Sequence, residues 1–114
     1  MLVIRREQLA VFQIAQRQQF EDSMTAHLAV RFAGRAVAPD KDGLRTLVRD
    51  GIRLAGEYGV VAPYDVQRFL ELRVEYGPDF HTTPWAARIL KDSTLSGCGK
   101  IEHLDDYTFF SLRS

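Results

Sequence analysis

Apolar side chains at Leu9, Phe12, Phe20, Met24, Leu28 and Phe32 recur at intervals of three, four and eight residues, which holds them on one side of a helix. That spacing predicts helix over residues 5 to 33, as one long element or two consecutive ones. Gly34 follows the last apolar position, and Ala38-Pro39 marks a chain that has left the helix. Asp40 is a candidate N-cap for a second helix carrying Leu44, Leu47, Val48, Ile52, Ala55 and Tyr58, closed at Gly59. Pro63 opens a third, with Asp65 near its positive end and Val66, Phe69, Leu70 and Val74 as its buried stripe. Gly77-Pro78 stops it.

The stretch RVEYGPDFHTTPWAARIL, residues 73 to 90, packs turn-formers, a carboxylate, an imidazole and an indole into a short reach. Most of that cluster is accounted for by a corner: Gly77-Pro78 ends one helix, and Thr83 caps a short one opened by Pro84, to which Trp85 adds a wedge of core. A last helix runs from about Lys100 to Leu112 with Ile101, Leu104 and either Tyr107 or Phe110 on its apolar side. Outside Leu2-Val3-Ile4 no period-two run stands out, so the expected fold is all-α: a single domain, residues 1 to 114, forming a small bundle of about five helices with a short extended N-terminus.

Length and charge narrow the function. A chain of 114 residues holds one core. Its fifteen basic and fifteen acidic residues cancel, which removes the long-range field that draws a protein to nucleic acid or anionic membrane. Residues 45 to 76 have a helix-turn-helix silhouette, yet the would-be recognition helix sets Arg68 and Arg73 against Asp65, Glu71 and Glu75, an acidic balance unsuited to phosphates. The start is too short for a signal-peptide core, no stretch reaches a membrane span, and Cys98 is the single cysteine, so a reducing cytoplasmic setting is expected.

Chemistry-bearing residues are sparse. His27, His81 and His103 have no histidine or cysteine partner at metal-ligand spacing, so no metal or cofactor is expected. His27 reads as a helix-surface residue, and His103 shares a solvated face with Asp105 and Asp106. Cys98, in SGCGK, is an accessible thiol that Lys100 would acidify, with no base marked out for it. Gly99-Lys100 imitates the end of a phosphate-binding loop but lacks its leading glycine and its following Ser or Thr. Asp79 and His81 offer an imidazole that a carboxylate could orient, without a nucleophile nearby in sequence. The chain reads as a non-enzyme.

MLVIRREQL at the N-terminus, the frame GI..A..YGV....DV.RF from Gly51 to Phe69, YGPDF at 76 to 80 and PWA..IL at 84 to 90 together resemble a family of small helical bacterial proteins encoded beside type VI secretion cargo, namely spike-tip PAAR proteins, effector chaperones and toxins. The chain departs from that pattern at Ala62, where a Ser or Thr cap is usual, and at SGCGK. The resemblance implies a non-catalytic, co-chaperone-like adaptor that binds an effector chaperone or its cargo, with an immunity protein neutralising a neighbouring toxin as the alternative; neither role implies a small-molecule substrate. Two stretches suit partner contact. Leu2, Val3 and Ile4 form an apolar run able to add a strand to a partner or tuck across the chain's own helices. Tyr107, Phe109 and Phe110 carry more aromatic surface than one helix side can bury.

Overall fold

The computed structural model describes residues 6–33 and 40–112, with side-chain surroundings for 16–33, 40 and 42–110. Five α-helices follow one another: α1 (Arg6–Arg31), α2 (Lys41–Glu57), α3 (Pro63–Tyr76), α4 (Pro84–Leu90) and α5 (Gly97–Tyr107). Among the described residues there is no strand. The all-α expectation holds, α1 is a single continuous helix, and the expected extended N-terminus lies outside the described residues.

The punctuation works as the sequence implies. Asp40 caps α2, its carboxylate accepting from the Gly43 amide at 2.7 Å. Gly59 (φ 79°) and Gly77 (φ 102°) follow α2 and α3 in the left-handed region, where a Cβ would be strained. Ala62 supplies no side-chain cap to α3, leaving Pro63 to open the helix with its missing N–H at no cost. Thr83 precedes α4 but does not cap it with its side chain: the hydroxyl donates to the Phe80 carbonyl at 2.6 Å and braces the turn.

Helix α3 is the centre of the bundle. α2 packs on one side of it and α5 on another, while α1 lies along α2 and α4 along α5. Val66, Phe69, Leu70, Leu72 and Val74 are therefore all buried, on more than one face of a single helix. Leu28, Phe32, Leu44, Val48, Ala55, Val60, Phe80, Leu90, Ile101 and Leu104 complete the core. Gly51 makes the close α2–α3 approach possible, because a Cβ there would run into Leu70 Cδ2.

Trp85 is partly buried and packed against the core, the wedge that the sequence implies. Its ring stacks on Tyr107 at 4.8 Å and 4° between planes, with Tyr76 edge-on at 6.1 Å and Phe80 tilted at 6.2 Å. It joins the α3–α4 corner to α5 along the margin of the core.

The largest departure from the sequence reading is the start of α5. The helix begins three residues earlier than expected, at Gly97, and SGCG forms its cap and first turn. The Ser96 hydroxyl accepts from the Gly99 amide at 3.0 Å. Gly97 sits against the turn after α2, where a Cβ would fall on the Gly59 carbonyl oxygen and within 3.1 Å of Val60 Cα. Lys100, nearly buried, donates from Nζ to the Tyr58 carbonyl at 2.8 Å, placing its charge at the negative end of α2. The glycines that look like a loop in sequence permit backbone-to-backbone docking of α5.

This contact makes a sharp comparison. Gly97→Ala must displace backbone and is expected to destabilise by about 1 to 3 kcal/mol, the range for overpacking. Gly56→Ala, at a helical position facing open space, is expected to stabilise by about 0.4 to 1 kcal/mol. Urea unfolding of both variants checks the pair, with Gly97→Ala lowering the midpoint and Gly56→Ala raising it.

Candidate protein-docking surface

The face shared by α1, α3 and α5 is built around one buried carboxylate. Glu71 is 5% exposed. His27 Nε2 lies 2.8 Å from its Oε2, Arg31 Nε lies 3.4 Å from the same oxygen, and Arg68 Nη1 lies 3.0 Å from Oε1. Arg68 then reaches across to α5, donating from Nε to Asp105 Oδ1 at 2.7 Å. One chain of charge thus joins three helices. Burial works against ionisation of Glu71, but hydrogen bonds from His27 and Arg68 and the charge of Arg31 outweigh it and hold the carboxyl below its ordinary range. Burial likewise opposes the charge on Arg68, and Asp105 and Glu71 overcome it, raising the guanidinium's pKa.

With both oxygens engaged by cations, Glu71 is a poor proton acceptor and a good structural anchor. His27, read from sequence as a surface residue, is half-buried and belongs to this network, and Asp105 is a partner of Arg68 as well as part of a polar face.

Two shallow depressions of about 320 Å³ each adjoin this network and share Arg68. One is lined by His27, Arg31, Tyr64, Gln67, Arg68 and Glu71; the other by Arg68, Asp105, Asp106, Thr108 and Phe109. Aromatic rings border them. Tyr64 is 71% exposed, Phe109 63% and Phe110 69%, and the two phenylalanines meet edge to face at 5.0 Å. Their exposure has a helical cause. Ile101, Leu104 and Thr108 form the inward stripe of α5, and the π turn Thr108–Leu112 that continues it leaves Phe109 and Phe110 off that stripe.

Of the residues singled out in sequence for partner contact, Phe109 and Phe110 are on the surface, Tyr107 is half-buried and stacked on Trp85, and Leu2, Val3 and Ile4 lie outside the described residues. Tyr64 was missed: it stands one place after a helix-opening proline and carries no pattern that separates exposed from buried. Asp79 and His81 are not joined by a hydrogen bond. The Asp79 carbonyl accepts from the Thr82 amide and hydroxyl, and His81 Nδ1 is buried without a partner among the described residues.

Cys98 is exposed, but Asp65, burial and Glu102 push its thiol up, the opposite of the acidification expected from Lys100, whose ammonium is turned to Tyr58. Among the described residues no cluster of three His, Cys, Asp or Glu could hold a metal ion, and no helix is long and apolar enough to cross a membrane. Comparison with protein-family models, curated proteins and solved structures finds no match.

The Glu71 network carries a pH signature. Its carboxyl titrates lower in the folded chain than its ordinary value of 4.5, so the unfolded chain binds the proton first as pH falls. The stabilisation is complete above about pH 4.5 and is lost as pH drops through the folded value. Glu71→Gln is expected to cost about 3 kcal/mol at pH 5, near the lower end for breaking a buried ion pair because Arg31 and Arg68 retain some solvent. In thermal melts the gap between parent and variant narrows from pH 5 to pH 3.

Proposed function

We propose that this chain is a protein-binding adaptor whose docking surface is the aromatic-bordered face around Arg68. The observation that carries the reading is the exposure of Tyr64 and Phe109, which line the depressions that share Arg68, with Phe110 set edge to face on Phe109. Aromatic rings and arginine are the residue types that dominate binding energy in protein interfaces, where a few of them near the centre outweigh a wide ring of neutral contacts. A rigid floor favours such a site, since side chains already held in place lose less entropy on binding. Arg68 is held on both sides by Glu71 and Asp105.

The resemblance of the Gly51 to Phe69 frame and of YGPDF and PWA..IL to small type VI secretion accessory proteins gives the partner class: an effector chaperone or the effector it loads. The same frame supplies Gly51, Ala55, Gly59, Val60, Val66 and Phe69, which serve packing and turn geometry, together with Arg68. The cytoplasm, where loading takes place, is the matching setting.

The test is co-expression with the effector chaperone encoded beside the gene. A complex is expected, and Phe109→Ala with Phe110→Ala is expected to weaken it by at least about thirtyfold, the scale of one interface hot spot, while the melting temperature of the free chain stays close to the parent's. Undiminished affinity in the double variant removes this surface from the account. Protection of cells from a neighbouring toxin, without chaperone binding, replaces the adaptor by an immunity protein.

A further inference from the structure

On another edge of α3 lies a second and larger recess, a cleft of about 600 Å³ between the first half of α2 and the end of α3 with its following turn. Its apolar wall is Leu47, Val74, Tyr76 and Pro78, and Thr46, Asp50, Arg73 and Glu75 supply polar groups.

Arg73 is the anomaly. It is 7% exposed, its Nε has no hydrogen-bond partner among the described residues, and no carboxylate pairs with it there. Asp50 and Asp79 act on it only through space, and burial together with Arg53 depresses its pKa. The stem is wedged against α2, where Gly51 leaves the room it needs. A buried guanidinium N–H left without a partner carries a desolvation cost that a methionine in the same place would not. Nothing in the packing of α2 on α3 calls for a charge at this point.

We propose that the α2–α3 cleft binds a small organic acid, a single carboxylate on an apolar body, with the carboxylate on Arg73 and the body against Leu47, Val74, Tyr76 and Pro78. The planar guanidinium fork matches a carboxylate in geometry, and the pairing restores hydrogen bonds that burial has removed. A phosphate dianion fits poorly: Arg73 offsets one negative charge, and Asp50 and Glu75 in the lining repel a second. The volume falls within the range of small-ligand sites, which combine apolar walls with a few fixed polar groups. This site is separate from the face around Arg68 and stands whether or not that face docks a protein.

Phenylacetate and its uncharged analogue phenylacetamide serve as probes, titrated into the full chain and followed by amide resonances of Gly43, Thr46 and Gly77. Phenylacetate is expected to shift these signals with an affinity at least about tenfold above that of the amide, the worth of one charge-assisted hydrogen bond. Inorganic phosphate is expected to shift them less than phenylacetate does. Arg73→Met is expected to melt at or above the parent temperature and to bind the two probes equally, and Arg73→Lys to retain part of the preference. Equal binding of acid and amide by the parent, or no shift at the solubility limit of the acid, overturns the proposal. So does binding only of a peptide ending in a free phenylalanine carboxylate, which would make the cleft a chain-end site, and so does an Arg73→Met variant that melts below the parent.

Discussion

A buried carboxylate can survive in a protein interior only where donors surround it, and Glu71 is that constraint here. An ionised carboxyl with so little solvent carries a desolvation penalty of several kcal/mol, and the bundle meets it by bringing His27 and Arg31 from α1 and Arg68 from its own helix to the two oxygens. Those contacts fix where α1 lies against α3. Because Arg68 is shared with Asp105, they also fix α5. Along the α1–α2 seam Arg45 pairs with Asp22 at the surface, where such a pair contributes little, and Arg49 reaches the buried Glu21 at 3.5 Å. The apolar core drives collapse, and the charge network selects one arrangement of helices within it.

That arrangement divides the molecule by role. α3 is wrapped by the other helices, so its side chains on one edge join the Glu71 network and on another meet the cleft that holds Arg73. The two edges differ in chemistry. Around Glu71 the charges satisfy one another and aromatic rings border the surface, a composition suited to a protein partner. In the cleft Arg73 Nε has no hydrogen-bond partner among the described residues, the feature on which the proposal of an organic-acid ligand rests. The tight backbone contacts, Gly51 under Leu70 and Gly97 on the turn after α2, hold both edges in register.

Helix number, type and most boundaries were legible in the sequence because glycine and proline act locally: Gly59, Gly77, Pro63 and Pro84 have conformational demands that neighbours cannot overrule. The beginning of α5 was not legible, since the function of Gly97 depends on a turn that lies about forty residues earlier in the chain. The Glu71 network was hidden for the same reason. His27 meets Glu71 across 44 positions and Arg68 meets Asp105 across 37, and no spacing rule spans such distances. The charge pattern of α3 was visible, but counting charges could not reveal that Glu71 and Arg73 are both buried, one with both oxygens engaged and one with its Nε unpartnered among the described residues. Phe109 and Phe110 were partly legible as candidate contacts, because one helix side cannot bury Tyr107, Phe109 and Phe110 together, but spacing alone left Phe110 a place on the inward stripe that the structure gives to Thr108.

Whether a polypeptide partner occupies the α1–α3–α5 face is tested most directly by amide hydrogen exchange of the chain alone and in the presence of the proposed partner, an effector chaperone. Slowed exchange at residues 63 to 68 and 104 to 110, with the α2–α3 turn unchanged, is the predicted result. A complex that forms with protection confined to other segments, leaving both of these stretches as exposed as in the free chain, would contradict it.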